Sequence, residues 1–370
     1  MRKIFNFNTK WAFTKDAETV PSVMPQKWYW VNLPHTWNDI DGQDGGNDLY
    51  RGTSYYAKEL EKIDLPKADK YFLELQGANS SATVYVNNKK LASHDGGYST
   101  WRVDITDVLE DKNLFVVEVD NSANDRVYPQ NADFTFYGGL YRDVNIIAVN
   151  NSHFDLEYYG TPGIKVTPEV VGEHAKVDVE VFVKNAKENQ KLVYTIKDRE
   201  GNVVAQRETT ASQKEAIFEI ENVHLWHGRK DPYLYSVEVL LKENDEILDN
   251  VSTRFGCRTF KIDPELGFIL NGEEYPLRGM VVWAEIPYIS THMPKGRENT
   301  ITQMKELVVQ NYNHPSIVVW GLSNEITMSG DSTEDLRENH VILNDLVHEM
   351  DKTRLTTIAC VSMCDMDAKL

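Results

Sequence analysis

Asn324 and Glu325 close the segment Trp320-Gly-Leu-Ser-Asn-Glu, where an apolar run gives way to polar residues. A carboxyl group partly withdrawn from water at such a place holds its proton and can act as a general acid. A neighbouring amide such as Asn324 can hydrogen-bond a substrate hydroxyl. Asn and Glu also suit a helix start, so capping the next helix is the competing reading. Glu285 ends the preceding apolar run, and Asp365 and Asp367 follow the last one. A two-carboxylate site is therefore conceivable at one sheet edge. Glu285 reads better as a hydrogen-bonding support, and Asp365 and Asp367 as part of a frayed terminus.

These residues need a scaffold, and the pattern after Arg258 supplies one. Met280-Val-Val-Trp-Ala-Glu-Ile-Pro reads as a strand covered on both faces. Asn299 to Tyr312 carries helical spacing at Ile301, Met304, Leu307 and Val308. Ser316-Ile-Val-Val-Trp-Gly-Leu is a second buried strand, Glu334 to Asp351 a second helix, and Leu355-Thr-Thr-Ile-Ala-Cys-Val a third strand. The order β-α-β-α-β predicts a parallel sheet with right-handed crossovers. Ligands bind such sheets beyond the carboxyl ends of the strands, which is where Asn324 and Glu325 fall.

The rest of the chain is all-β. Residues 1–150 show short alternating strands separated by turn chemistry at Asn87-Asn88, Gly96-Gly97 and Asp120 to Asp125, predicting a jelly-roll β-sandwich. Phe5/Phe7 and Trp11/Phe13 read as its first strand. Residues 151–257 carry about seven strands, among them Ala175-Lys-Val-Asp-Val-Glu-Val-Phe-Val, and predict an immunoglobulin-like sandwich. Residues 258–370 form the α/β part.

Composition narrows the function. The 370 residues carry 39 Lys+Arg against 57 Asp+Glu, a formal charge of −18. Such a balance disfavours nucleic acid and anionic membrane surfaces as partners. No apolar run reaches the ~20 residues of a membrane helix, and the N-terminus lacks the apolar stretch of a signal peptide. Cys257, Cys360 and Cys364 read as small buried residues in a reducing compartment, so the expected setting is the cytoplasm.

Several segments resemble glycoside hydrolase family 2 in order, most nearly its bacterial β-galactosidases. They include Leu33-Pro-His-Thr-Trp-Asn, His94-Asp-Gly-Gly-Tyr-Ser, Asp133-Phe-Thr-Phe-Tyr-Gly-Gly-Leu-Tyr-Arg-Asp-Val, Phe255-Gly-Cys-Arg, Tyr275-Pro-Leu-Arg-Gly and His314-Pro-Ser-Ile-Val-Val-Trp-Gly-Leu-Ser-Asn-Glu. The resemblance implies a sugar-binding jelly roll, an immunoglobulin-like domain and a (β/α)₈ barrel, in that order. It implies Glu325 as general acid/base and Asn324 as the contact to the sugar 2-hydroxyl. Asp133 would hold a galactose hydroxyl, with a turn residue as its competing reading. His94 receives no role.

Two departures qualify the resemblance. Its nucleophilic Glu corresponds to no residue of this sequence, and Arg278-Gly279-Met280 runs straight into Val281 where at least one β-α-β unit of about 30 residues is expected. A barrel of about 200 residues cannot close from residues 258–370, so a partial barrel with open edges is expected. The implied chemistry is retaining hydrolysis of a terminal β-galactoside, with this chain inactive for want of the nucleophile. The alternative is a non-catalytic carbohydrate-binding or interaction module. Some family β-galactosidases use Mg²⁺, but no ligand cluster is legible, so no metal or other cofactor is expected. Oligomeric state is not legible.

Overall fold

The computed structural model describes residues 1–15, 17–39, 49–132, 134–276, 281–328 and 332–360. Its first sandwich pairs a four-stranded with a six-stranded antiparallel sheet. The smaller runs in the order Lys3–Asn6, Val144–Val149, Lys70–Leu75 and Trp101–Asp104. The larger places Thr53–Glu61 and Lys112–Asp120 at its centre. Phe7, Trp11, Tyr56 and Phe115 fill the space between them and are fully buried. The expected single first strand is in fact two. Lys3–Asn6 joins the small sheet and Trp11–Thr14 the large one, with Lys10 at φ 56° in the crossing. The aromatic alternation survives because both strands face one core, where Phe7 and Trp11 meet edge to face at 5.2 Å.

The second sandwich packs a three-stranded sheet, Ile164–Val171, His174–Val181 and Glu215–Ile220, on a four-stranded one led by Gln190–Lys197 and Tyr235–Glu243. Alternation drives it directly. Ala175, Val177, Val179 and Val181 are buried while the residues between them are not.

Beyond it lies a parallel sheet of three strands in chain order: β1 (Val282–Glu285), β2 (Ile317–Asn324) and β3 (Leu355–Ala359). Helices α1 (Arg297–Asn311) and α2 (Glu334–Met350) connect them. Central β2 is covered, with Trp320 and Leu322 fully buried against the helices. The expectation that the strand around Val282 and Trp283 is covered on both faces is corrected: Val282 is 40% and Trp283 48% exposed. β1 is an edge strand of this sheet, as β3 is on the other side, where Leu355 is 43% exposed. The junction Arg278-Gly279-Met280 lies outside the described residues. Cys257 is buried, Cys360 is exposed against expectation because it follows edge strand β3, and Cys364 lies outside the described residues.

Helix α1 has two buried faces of different chemistry. Met304 and Val308 enter the apolar core, as their spacing predicts. Asn299, Gln303, Glu306 and Gln310 form a polar stripe against the first sandwich. Asn299 accepts the Tyr128 N–H at 2.9 Å and donates to the Asp95 carbonyl at 2.9 Å. Gln310 accepts the Thr100 N–H at 3.0 Å and donates to its carbonyl at 2.9 Å. His94 donates from Nε2 to Glu306 at 2.5 Å and stacks on Trp101. Gly96, at φ 131°, lets the turn after His94 approach this helix, since a Cβ there would stand 3.2 Å from Gln303. The jelly roll is thereby fixed on the helix that leads into β2.

Candidate active site

Main-chain hydrogen bonds hold the end of β2 on both sides. The Asn324 N–H donates to the Tyr288 carbonyl at 2.9 Å, and the Glu325 N–H donates to the Ala359 carbonyl at 2.8 Å. Glu325 has φ 47°, in the left-handed region that a non-glycine residue enters at a cost of about 1–3 kcal/mol. Both side chains are half-buried and make no hydrogen bond among the described residues. Helix capping is not their task. Thr333 caps α2, its hydroxyl accepting the Leu336 N–H at 3.1 Å.

Ser290 ties this edge to the jelly roll. Its N–H donates to the Asn324 carbonyl at 3.3 Å, and its hydroxyl donates to the Asn131 carbonyl at 3.0 Å. The loop that leads to residue 133 thus reaches the same edge. Asp133 itself lies outside the described residues, as do Asp365 and Asp367.

Glu285 ends β1 opposite Gly321 of β2. A Cβ at Gly321 would lie 2.1 Å from the Trp283 indole nitrogen and 2.7 Å from the Glu285 side chain, so glycine is what admits both. Burial raises the Glu285 pKa above the usual carboxylate range, opposed by a hydrogen bond from Trp283. The half-exposed Trp283 stands beside the Glu285 side chain at this edge.

Buried polar groups support the edge from behind. Tyr288 is fully buried, its hydroxyl donating to His292 Nδ1 at 2.5 Å, and His292 Nε2 reaches Asp335. The His292 hydrogen bond and then the Arg297 charge hold the Asp335 carboxyl below its ordinary range. On β2, the Ser323 hydroxyl donates to His340 Nε2 at 2.7 Å while Nδ1–H of that ring donates to the Leu336 carbonyl at 2.9 Å. Burial lowers the His340 pKa, which suits this neutral tautomer. Sequence reasoning assigned nothing to Tyr288, Ser290 or His292. Trp283 stood inside a recognised apolar run, so its exposure, not its presence, was the missing signal.

Three family models match this chain in succession. They are the glycosyl hydrolase 2 galactose-binding domain-like model over residues 49–153, glycosyl hydrolases family 2 over 162–258, and the TIM barrel domain of that family over 264–369. The chain belongs to glycoside hydrolase family 2. Among curated relatives, a β-glucuronidase of Bacteroides fragilis is 31% identical over 403 positions, covering 89% of this chain and 57% of that protein. A β-galactosidase of Thermoanaerobacter pseudethanolicus is 24% identical, covering 96% of this chain and 55% of the relative. The chain spans about half the length of the curated relatives it matches. Among solved structures, the FMN-binding β-glucuronidase from Facaelibacterium prausnitzii L2-6 superposes with a TM-score of 0.92 at 35% identity, over 98% of this chain and 64% of that one. A Bacteroides uniformis β-glucuronidase gives 0.85 at 28%, over 97% and 52%. The relatives' names divide between glucuronidase and galactosidase, so family 2 membership does not carry the galactoside specificity expected from the sequence. Among the described residues, no group of three or more His, Cys, Asp or Glu is placed to hold a metal, and no helix is long and apolar enough to cross a membrane.

Proposed function

We propose that this chain carries the acid/base side of a retaining β-glycosidase site. In this reading Glu325 protonates the leaving glycosidic oxygen, and Asn324 holds the sugar 2-hydroxyl. Asp133 would contact a further hydroxyl from the jelly roll. The supporting observation is the joint placement of Asn324 and Glu325 at the end of β2, bridged by Ser290 to the loop preceding residue 133. Residues 1–150, 151–257 and 258–370 serve as the sugar-side sandwich, the connecting sandwich and the catalytic sheet.

Retaining hydrolysis needs a second carboxyl about 5–5.5 Å from the first, to capture the sugar covalently before water releases it. That nucleophile corresponds to no residue of the sequence, and Glu285 is a supporting carboxyl in this reading. The substrate class is a terminal β-glycoside. A β-glucuronide stands beside the β-galactoside because relatives of both names match over most of the chain.

Turnover of nitrophenyl β-galactoside and nitrophenyl β-glucuronide by the parent chain, Glu325→Gln and Glu285→Gln tests the assignment. The parent is expected to show little or no turnover. Any that it has should fall about 100-fold or more in Glu325→Gln. A non-zero rate left equal in Glu325→Gln removes that residue from the mechanism.

A further inference from the structure

The opposite end of the parallel sheet holds a cavity of about 520 Å³. It lies where β2 and β3 begin, between the second sandwich and the turns at Tyr312–Pro315 and Asp351–Arg354. Seven residue steps of β2 separate it from Asn324, roughly 23 Å. It is remote from the site above.

Its charges do not cancel. Arg354 pairs with Asp351 at 2.6 Å, both side chains buried. The oxygens of Asp351 are already engaged. Its Oδ2 also accepts the Trp320 indole N–H at 2.9 Å, and its Oδ1 accepts the Thr353 N–H at 2.9 Å and hydroxyl at 2.6 Å. Among the described residues Arg258 donates only to the carbonyls of Pro315 and Ile317, the latter at 2.7 Å, and pairs with no carboxylate. These carbonyls take two of its five N–H groups and the guanidinium lies 4.8 Å from the centre of the Phe260 ring, which leaves donors open and the charge without an ion-pair partner, a costly arrangement for a cation in a desolvated place. Burial and then the neighbouring Arg354 bring the Arg258 pKa down to about 9, only partly opposed by the charge of Asp351. His314, in the same turn, is lowered first by burial and then by the charges of Arg354 and Arg254, the latter two marking a positive local potential. Lys352 adds a cation at the wall and Glu169 a carboxylate, while Lys165 is engaged with Glu180 at 3.8 Å and the Met350 carbonyl at 3.3 Å. In a chain of net charge −18, this is a local cationic hollow.

We propose that the hollow is a binding site for a small oxyanion, a phosphate or carboxylate group held by the Arg258 guanidinium with Lys352 at its rim. The planar fork of an arginine matches either group in two-point geometry, and such charge-assisted bonds are the strong ones.

Thermal unfolding of the 370-residue chain in inorganic phosphate and in citrate, with sodium chloride holding ionic strength constant, reads the site directly. The melting midpoint of the parent should rise saturably with phosphate, with citrate, or with both. The anion that acts identifies the group. Arg258→Gln should abolish the rise. Lys352→Glu, a change at the rim that leaves the Arg258 and Arg354 contacts in place, should keep the fold and weaken the apparent affinity about tenfold. No saturable rise beyond sodium chloride, or an equal rise in Lys352→Glu, overturns the proposal and leaves Arg258 as a clasp between sandwich and sheet.

Discussion

Ser290 donates its backbone N–H to the carbonyl of Asn324 at 3.3 Å, at the point where β2 delivers its polar end. The same residue, 5% exposed and at φ 68°, sends its hydroxyl to Asn131 of the jelly roll. One residue therefore couples two parts of the proposed site. Ser290→Ala keeps the left-handed backbone unfavourable and removes the hydroxyl bond, so it should cost about 1–2 kcal/mol in denaturant unfolding. Ser290→Gly relieves the backbone and should cost less. Equal losses in the two variants would contradict this account of Ser290.

His94 and Glu306 meet across the sandwich–helix contact with 11% and 4% of their side chains exposed. Removing either partner strands the other in a desolvated place. His94→Gln and Glu306→Gln, combined in a double-mutant cycle by denaturant unfolding, should show a coupling of about 1–3 kcal/mol. Additive losses would mean that the two side chains merely fill space.

Gly321 is required by its neighbours rather than by its backbone angles. Gly321→Ala would press a methyl group into Trp283 and Glu285, costing about 1–3 kcal/mol. Displacing the half-exposed indole should also shift the tryptophan fluorescence of the folded chain. An unchanged spectrum with unchanged stability would show that the open face of β1 tolerates a side chain there.

Asp178 gives a pH-dependent stability signature. It stands across from strand Glu215–Ile220, where burial first, then Glu215 and Glu180, push its pKa up to about 6. Its folded pKa is thus raised above the ordinary value of about 3.9, so the folded state binds this proton more tightly than the unfolded state. The contribution to stability is present below about pH 4 and is lost as pH rises towards about 6. Asp178→Asn should therefore melt higher than the parent at about pH 7 and close to it at about pH 4. The same offset at both values would exclude a titration effect.

Most of the architecture was legible because period-2 and period-3.6 patterns report burial wherever one face of an element meets an apolar core. The valines of His174–Val181 and the positions Met304 and Val308 are of that kind. The polar stripe Asn299, Gln303, Glu306 and Gln310 was not, since polar residues at helical spacing look the same whether they face water or another sandwich. The partners, His94, Thr100 and Tyr128, lie more than 170 positions earlier in the chain. Apolar Val282 and Trp283 misled in the opposite direction, since composition cannot say whether a strand has neighbours on both sides. At the site, Asn324 and Glu325 were legible as the polar end of an apolar run. Ser290 was not, because its hydroxyl bond to Asn131 exists only once the jelly roll has docked.

Isothermal titration of the chain with methyl β-galactoside and methyl β-glucuronide, for the parent beside Asn324→Ala and Glu325→Ala, tests the central assignment most directly. The account predicts saturable heat with at least one glycoside, and an affinity loss of about tenfold or more in Asn324→Ala. Absence of saturable heat with both glycosides, or equal affinity in the parent and both variants, would contradict it.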